Sequence, residues 1–170
     1  MEAAVFRSTL ETPVGSVQLA VNGAGALVEI LLPSRRPKAS TSEPVAPAAG
    51  EGMRAVRRQL SEYFARERRV FDLTLEPAGS PFEQRVWMKL LGIPYGVTTS
   101  YGAIAHELGL TDGARAVGSA NGSNPIPIVI PCHRVIGSDG ELTGYGGGLP
   151  LKRALLEFEG AIRPPEPRLF

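Results

Sequence analysis

The most constrained stretch of the chain is Asn124-Pro125-Ile126-Pro127-Ile128-Val129-Ile130-Pro131-Cys132-His133-Arg134-Val135. Each proline fixes its own φ and removes a backbone donor, so few backbone paths can carry this segment. The apolar run Ile126–Ile130 reads as a buried strand. Pro131 ends it, having no N–H to give to a ladder. Cys132 then stands where a rigid strand passes into a loop, a usual place for chemistry held on a scaffold. It is the one cysteine of the chain, and one of two histidines follows it. Cys132 alone is open to two readings, a nucleophile or an inert structural thiol, because free cysteine is among the most buried residue types.

Several function classes are excluded early. No apolar run approaches the ~18–20 residues needed to cross a bilayer, and no signal-peptide pattern opens the chain. One cysteine permits no internal disulfide, and with two histidines it makes no convincing zinc site. The expectation is a cytoplasmic protein with no membrane association and no metal or redox cofactor. The formal net charge is +1, and residues 81–170 hold eight Lys/Arg against eight Asp/Glu. Charge therefore does not announce a nucleic-acid binder. Any contacts to such a partner must be few and local.

At 170 residues the chain suits one sizeable domain or two small ones. Residues 3–32 predict an antiparallel meander: Ala3–Leu10 and Ser16–Val21 about a Thr12–Gly15 turn, then Ala26–Leu32. Residues 33–50 turn to Pro, Ala and Ser and predict a surface loop. Met53, Val56, Leu60 and Phe64 recur at helical spacing within Glu51–Arg69. The arginines of that helix fall mostly on its other faces, as a solvated surface would have them. Val70–Leu75 predicts a strand, and 76–79 a boundary. A small α/β unit over 1–78 follows, with no residue cluster that suggests catalysis.

The second unit, 79–170, is expected to be mostly helical. Ser80, Pro81 and Glu83 form a capping-box start, and Gly92 with Pro94 supplies a stop. Trp87 is most simply core. A second helix spans Tyr101–Leu108 after Thr99-Ser100, and Asp112 is placed to cap a third over Ala114–Asn121. The pair has the pattern of a helix-turn-helix. Ala114, Ala116, Gly118, Ser119, Ala120 and Gly122 leave the third helix nearly bare of side chains. Gly in a helix interior costs ~1 kcal/mol relative to Ala, so something must come close, either another part of the protein or a narrow groove. Ile136–Leu142 predicts a strand and tight turn, Thr143–Gly148 a glycine-rich loop, Leu151–Glu159 a last helix, and 163–170 a tail.

With its neighbours, the Pro131–Val135 string resembles the active-site signature of the O6-alkylguanine-DNA alkyltransferases, the methylated-DNA–protein-cysteine methyltransferases. The resemblance extends through Ser80–Trp87, Ile93–Gly96, Ser100–Gly102, Ala114–Gly118 and Thr143–Gly148, in the family's order. It is dense over about 80–160 and loose before that. It implies an α+β protein with a ribonuclease H-like N-terminal domain and a helical C-terminal domain carrying a helix-turn-helix. It also implies single-turnover transfer of an alkyl group from O6-alkylguanine, and from O4-alkylthymine in addition, in double-stranded DNA to Cys132. The protein is expected to act as a monomer gripping the minor groove.

The resemblance assigns residues as well. Cys132 is the acceptor, His133 its base acting through a bridging water, and Glu159 the group that orients His133. A cysteine attacks as the thiolate, so the site is expected to lower its pKa from ~8.5. Asn124 ties the loop around Pro131-Cys132. Arg134 either favours the thiolate or forms a structural ion pair. Arg115 fills the gap left by a flipped base, while Ser100 and Tyr101 meet phosphate. Tyr145 and the Gly146 N–H flank O6, and Lys152 steadies Tyr145. The Cys132 and Val135 carbonyls accept from the exocyclic amine. Asn121 stands where some relatives carry Met, which bears on the wall against which the base stacks. Two other classes compete: a Cys-His hydrolase, which needs an oxyanion hole and turns over, and a binding-only helix-turn-helix module.

Overall fold

The computed structural model describes residues 5–39 and 47–164. Strands β1 (Val5–Thr12) and β2 (Gly15–Asn22) form a hairpin closed at Thr12↔Gly15, and β3 (Leu27–Leu31) pairs antiparallel on the other side of β2. The central strand buries Val17, Leu19 and Val21 completely. Helix α1 (Pro47–Phe64) covers the sheet with Met53, Val56, Leu60 and Tyr63. It approaches so closely that a Cβ on Gly52 would fall onto the Gly25 backbone of the β2–β3 turn. Gly25 itself has φ +87°, a conformation glycine adopts freely.

The helix differs from the sequence expectation at both ends. It begins at Pro47, the favoured first-turn position for proline, so the 33–50 loop is shorter than expected; its residues 40–46 lie outside the described ones. It stops before Arg69 because Arg66 takes the left-handed conformation (φ 63°). Val70–Leu75 is not a strand. Only Leu75 bridges the sheet, beside Leu27. The Gln59 amide binds both the N–H and the C=O of Asp72 (2.8 and 2.9 Å), taking the place of a neighbouring strand.

The second half is built, among the described residues, on four helices and the Cys132 turn. Helix α2 (Pro81–Leu90) starts in the expected capping box, with Glu83 N–H to Ser80 Oγ at 3.1 Å and Ser80 N–H to Glu83 Oε1 at 2.9 Å. Trp87 is core as expected, and its Nε1 also donates to Ala120 O at 2.8 Å. Short strands β4 (Thr99–Ser100) and β5 (Val135–Ile136) pair in parallel, so the strand expected over 136–142 shrinks to two residues. Helices α3 (Tyr101–Glu107) and α4 (Ala114–Gly122) pack on each other. Ser100 caps α3, accepting from Ala103 N–H at 3.0 Å. Asp112 does not cap α4; the cap is Gly113 and makes no side-chain bond, because Asp112 itself is left-handed (φ 53°). Helix α5 (Leu149–Phe158) closes the fold.

The two halves share an interior. Tyr63 of α1 stacks among Phe64, Phe71, Tyr95 and Phe158 with ring centroids 5.0–6.2 Å apart. Ile30 N–H of β3 bonds Pro125 O at 2.9 Å. Among the described residues no helix is long and apolar enough to cross a membrane.

Candidate active site

The proline-bracketed segment is a compact buried turn, which corrects the expected strand over Ile126–Ile130. With Pro125, Pro127 and Pro131 lacking N–H groups, no ladder can form. Instead Ile130 N–H returns to Ile126 O at 2.9 Å, and Ile128 takes φ 74°. That conformation is unusual for a β-branched residue and costs of order 1–3 kcal/mol, so its surroundings must enforce it. Burial of Ile126, Ile128 and Ile130 does so in part. Asn124 does the rest, donating to Ile130 O at 2.8 Å and accepting from Ile126 N–H at 3.0 Å. Asn124 thus bonds both sides of the turn that leads to Cys132.

A single 3₁₀ turn, Cys132–Arg134, follows. It points successive side chains apart, and no direct bond joins Cys132 to His133. His133 Nε2 meets Glu159 Oε2 at 2.9 Å, while its Nδ1 is buried and bonded to no protein group. Arg134 grips the same carboxylate through Nε at 2.8 Å and Nη2 at 2.9 Å, and sends Nη1 to Ile93 O at 2.7 Å. Of the two readings of Arg134, the geometry is that of the ion pair. Burial alone would raise Glu159, but the hydrogen bonds from His133, Arg134 and Tyr63 outweigh it and hold its carboxyl at about 2. Burial also lowers His133, with Glu159 pulling only part of the way back.

Cys132 is only 4% exposed. Burial pushes its thiol up to about 11, against the smaller opposing effects of the Asn124 amide and the Lys152 charge. The expected lowering is thereby corrected. Arg134 is committed to Glu159, and burial favours the neutral thiol over the thiolate.

Lys152 is buried, donating to Val135 O at 2.6 Å, Thr143 O at 2.8 Å and Tyr101 Oη at 3.4 Å. Burial pulls it down to about 8. It steadies Tyr101 rather than Tyr145, which is a second correction. Tyr145 Oη is buried with no protein partner. The Val135 carbonyl expected to receive an exocyclic amine already accepts from Lys152. The Cys132 carbonyl likewise accepts from Asn121 Nδ2 at 3.2 Å. Each carbonyl retains a second lone pair.

Cys132, Tyr145, Gly146 and Asn121 line one cavity of about 290 Å³. Its far wall comes from the first half of the chain, through Ile30, Leu32 and Arg35. Ser34 Oγ donates to Gly146 O at 3.3 Å. Beside the cavity, α4 turns Ala114, Arg115, Ala116, Ser119 and Gly122 outward, so its exposed face is small apart from one arginine. Gly118 faces inward instead, where a Cβ would lie 3.7 Å from the Tyr101 ring.

A family model described as "6-O-methylguanine DNA methyltransferase, DNA binding domain" matches residues 81–161. Across nearly the whole chain, a Mycobacterium bovis protein named methylated-DNA–protein-cysteine methyltransferase is 48% identical, covering 95% of this chain and 96% of its own. The chain belongs to the methylated-DNA–protein-cysteine methyltransferase family. Two solved structures extend the likeness to the fold. The Mycobacterium tuberculosis O6-methylguanine methyltransferase superposes with TM-score 0.79 at 45% identity, over 96% of this chain and 97% of that one. Mycobacterium tuberculosis OGT in complex with DNA gives 0.81 at 46%, over 92% and 93%.

Within this methyltransferase fold, Cys132, His133 and Glu159 lie close together, and Tyr145, Gly146 and Lys152 gather around them. Ser100, Tyr101 and Arg115 occupy the adjoining surface. Sequence reasoning missed the contribution of the first half altogether. Tyr63 Oη donates to Glu159 Oε2 at 2.7 Å, and Arg35 reaches the cavity. The helical spacing puts Phe64, not Tyr63, on the buried face of this helix, and nothing in it marks Tyr63 for a polar partner 96 residues away.

Proposed function

We propose that this methyltransferase repairs O6-alkylguanine in double-stranded DNA, and O4-alkylthymine in addition, by moving the alkyl group to Cys132 once per molecule. The observation that carries the reading is the one cysteine of the chain, placed on the wall of a cavity and backed by a buried His133–Glu159 pair.

The lesion must leave the stack to reach so recessed a sulfur, at a cost of a few kcal/mol. Arg115 stands alone on the smooth face of α4 and takes the place of the departed base. Ser100 and Tyr101, at the start of α3, meet the neighbouring phosphate. The α3–α4 pair serves as a helix-turn-helix whose bare second helix fits the minor groove, only ~6 Å wide. Residues 1–78, ribonuclease H-like, and 79–170 act as two domains of a cytoplasmic monomer that closes the cavity from both sides.

In the cavity, Tyr145 and the Gly146 N–H flank O6, and the Cys132 and Val135 carbonyls face the amine edge. His133 draws the thiol proton through a bridging water at Nδ1, held in place from behind by Glu159. The sulfur attacks the alkyl carbon, the C–S bond forms as the C–O6 bond breaks, and the proton ends on N1 of the restored guanine. Because the resting thiol is neutral, it is shielded from stray electrophiles until a lesion is seated. The product is a thioether, and no second thiol waits to reverse it.

Digestion after incubation with an O6-methylguanine duplex tests the reading. The methyl group should lie on the peptide holding Cys132, and Cys132→Ser should acquire none while still binding DNA. A methyl group found elsewhere overturns it.

A further inference from the structure

The Glu159 carboxylate is reached by three side chains from two parts of the chain, and one of those parts has no role in the chemistry just described. His133 and Arg134 approach from the Cys132 turn, whereas Tyr63 approaches from α1 in the first half. Its hydroxyl donates to Oε2 at 2.7 Å, the same oxygen that bonds His133 Nε2 at 2.9 Å and Arg134 Nη2 at 2.9 Å. Tyr63 is fully buried, so its hydroxyl has no solvent alternative.

We propose that Tyr63 is a positioning residue of the alkyl-transfer site, supplied by the first half of the chain, whose hydroxyl sets how strongly Glu159 holds the His133 imidazole. This rests on the reading of Cys132 as acceptor and His133 as its base. A carboxylate oxygen has a limited capacity, and each donor it accepts weakens the others. Tyr63 therefore draws charge away from the His133–Glu159 bond. That keeps the imidazole neutral, and able to take a proton, at lower pH than Glu159 and Arg134 alone would allow. Burial pulls His133 the same way.

The other charged and titratable groups around the pair leave this role to Tyr63. Arg134 is fixed by Glu159 and Ile93 O. Lys152 of α5 is spent on the Val135 and Thr143 carbonyls. Tyr95 meets Tyr63 only edge-on at 6.2 Å, and Arg66 of α1 turns to Phe158 O at 2.7 Å. Arg69 lies over the Tyr95 ring, 5.0 Å from its centroid. Cys132 is neutral at rest, and Tyr145 Oη makes no protein bond.

The test is the pH profile of the single-turnover transfer rate from an O6-methylguanine duplex, measured for the full chain. Tyr63→Phe keeps the ring among Phe64, Phe71 and Phe158 and removes only the donor. Its acid limb should move to higher pH by about half a unit, with the plateau rate changed less than threefold. Placing 3-fluorotyrosine at position 63 makes a stronger donor of the same shape and should move the limb the other way. It also keeps the test decisive if Tyr63→Phe folds poorly. Acid limbs that superimpose on the unmodified protein, or that move opposite to these directions, overturn the inference. Failure of the underlying reading looks different: the unmodified chain would transfer nothing to Cys132, or its profile would be indifferent to His133→Asn.

Discussion

Asn124 shows how much one side chain can hold in place. Its amide makes both bonds that keep Ile128 in a left-handed conformation and so aim Cys132 into the cavity. Asn124→Ala leaves the Ile126 N–H without a partner and removes one of two donors from Ile130 O, which keeps the Cys132 N–H at 2.8 Å, a loss of about 1–3 kcal/mol. Urea unfolding should show it, together with a fall in transfer rate of at least tenfold. Asn124→Asp, which keeps one acceptor, should recover part of the stability and little of the rate. An unchanged unfolding midpoint in Asn124→Ala would mean that the prolines alone fix the turn. The neutral state of Cys132 belongs to the same scale. A thiol held at about 11 should react with iodoacetamide far more slowly at neutral pH than a free cysteine does. Alkylation at the rate of an ordinary thiol would contradict that state.

The elements that bracket the site were legible wherever a local rule governs them. The Ser80–Glu83 capping box, the Thr12–Gly15 hairpin and the amphipathic α1 each follow from neighbours in sequence; the first two stand at their expected places, and α1 is present with both ends shifted. The failures came where a partner distant in the chain, or an unusual local backbone, overrode the pattern. Gln59 replaces a strand for Asp72, the prolines turn Ile126–Ile130 into a coil, and Lys152 bonds Tyr101 instead of Tyr145. The Cys132–His133 pair was legible for the same reason as the helices, being contiguous. The Tyr63 contact was hidden because a buried aromatic on a helix is ordinarily core.

Helix α4 carries the sharpest prediction at this scale. It offers the duplex one arginine and small side chains, so Arg115→Ala should slow repair of duplex DNA far more than reaction with free O6-benzylguanine, where no base leaves a stack. Equal losses would remove Arg115 from flipping. With so few cations on the surface, binding should release on the order of two to four counterions per duplex as salt is raised. A slope near −8 would bring the arginines of α1 into the interface.

The whole molecule is joined through Glu159, where both halves meet. Its carboxyl sits at about 2 in the folded chain against an ordinary 4.5. It therefore contributes stability that is fully present above pH 4.5 and is lost as pH falls toward 2, on the order of 3 kcal/mol in all. His133, lowered below its ordinary 6.5, adds to the decline at a higher pH, because the unfolded chain binds that proton first. Urea unfolding followed from neutral pH downward should weaken in both windows. Glu159→Gln should start less stable and lose the steep part below pH 4.5, whereas parallel curves for the two proteins would place the acid-sensitive group elsewhere.

The account as a whole stands or falls on how many times one molecule can act. With O6-methylguanine duplex in tenfold excess over protein, intact mass and lesion loss can be followed together until both are constant. One repaired lesion and one added methyl group per chain is the predicted end point, because the Cys132 thioether has no route back to a thiol. Lesion loss that continues past one per chain, or repair that leaves the protein mass unchanged, would contradict it.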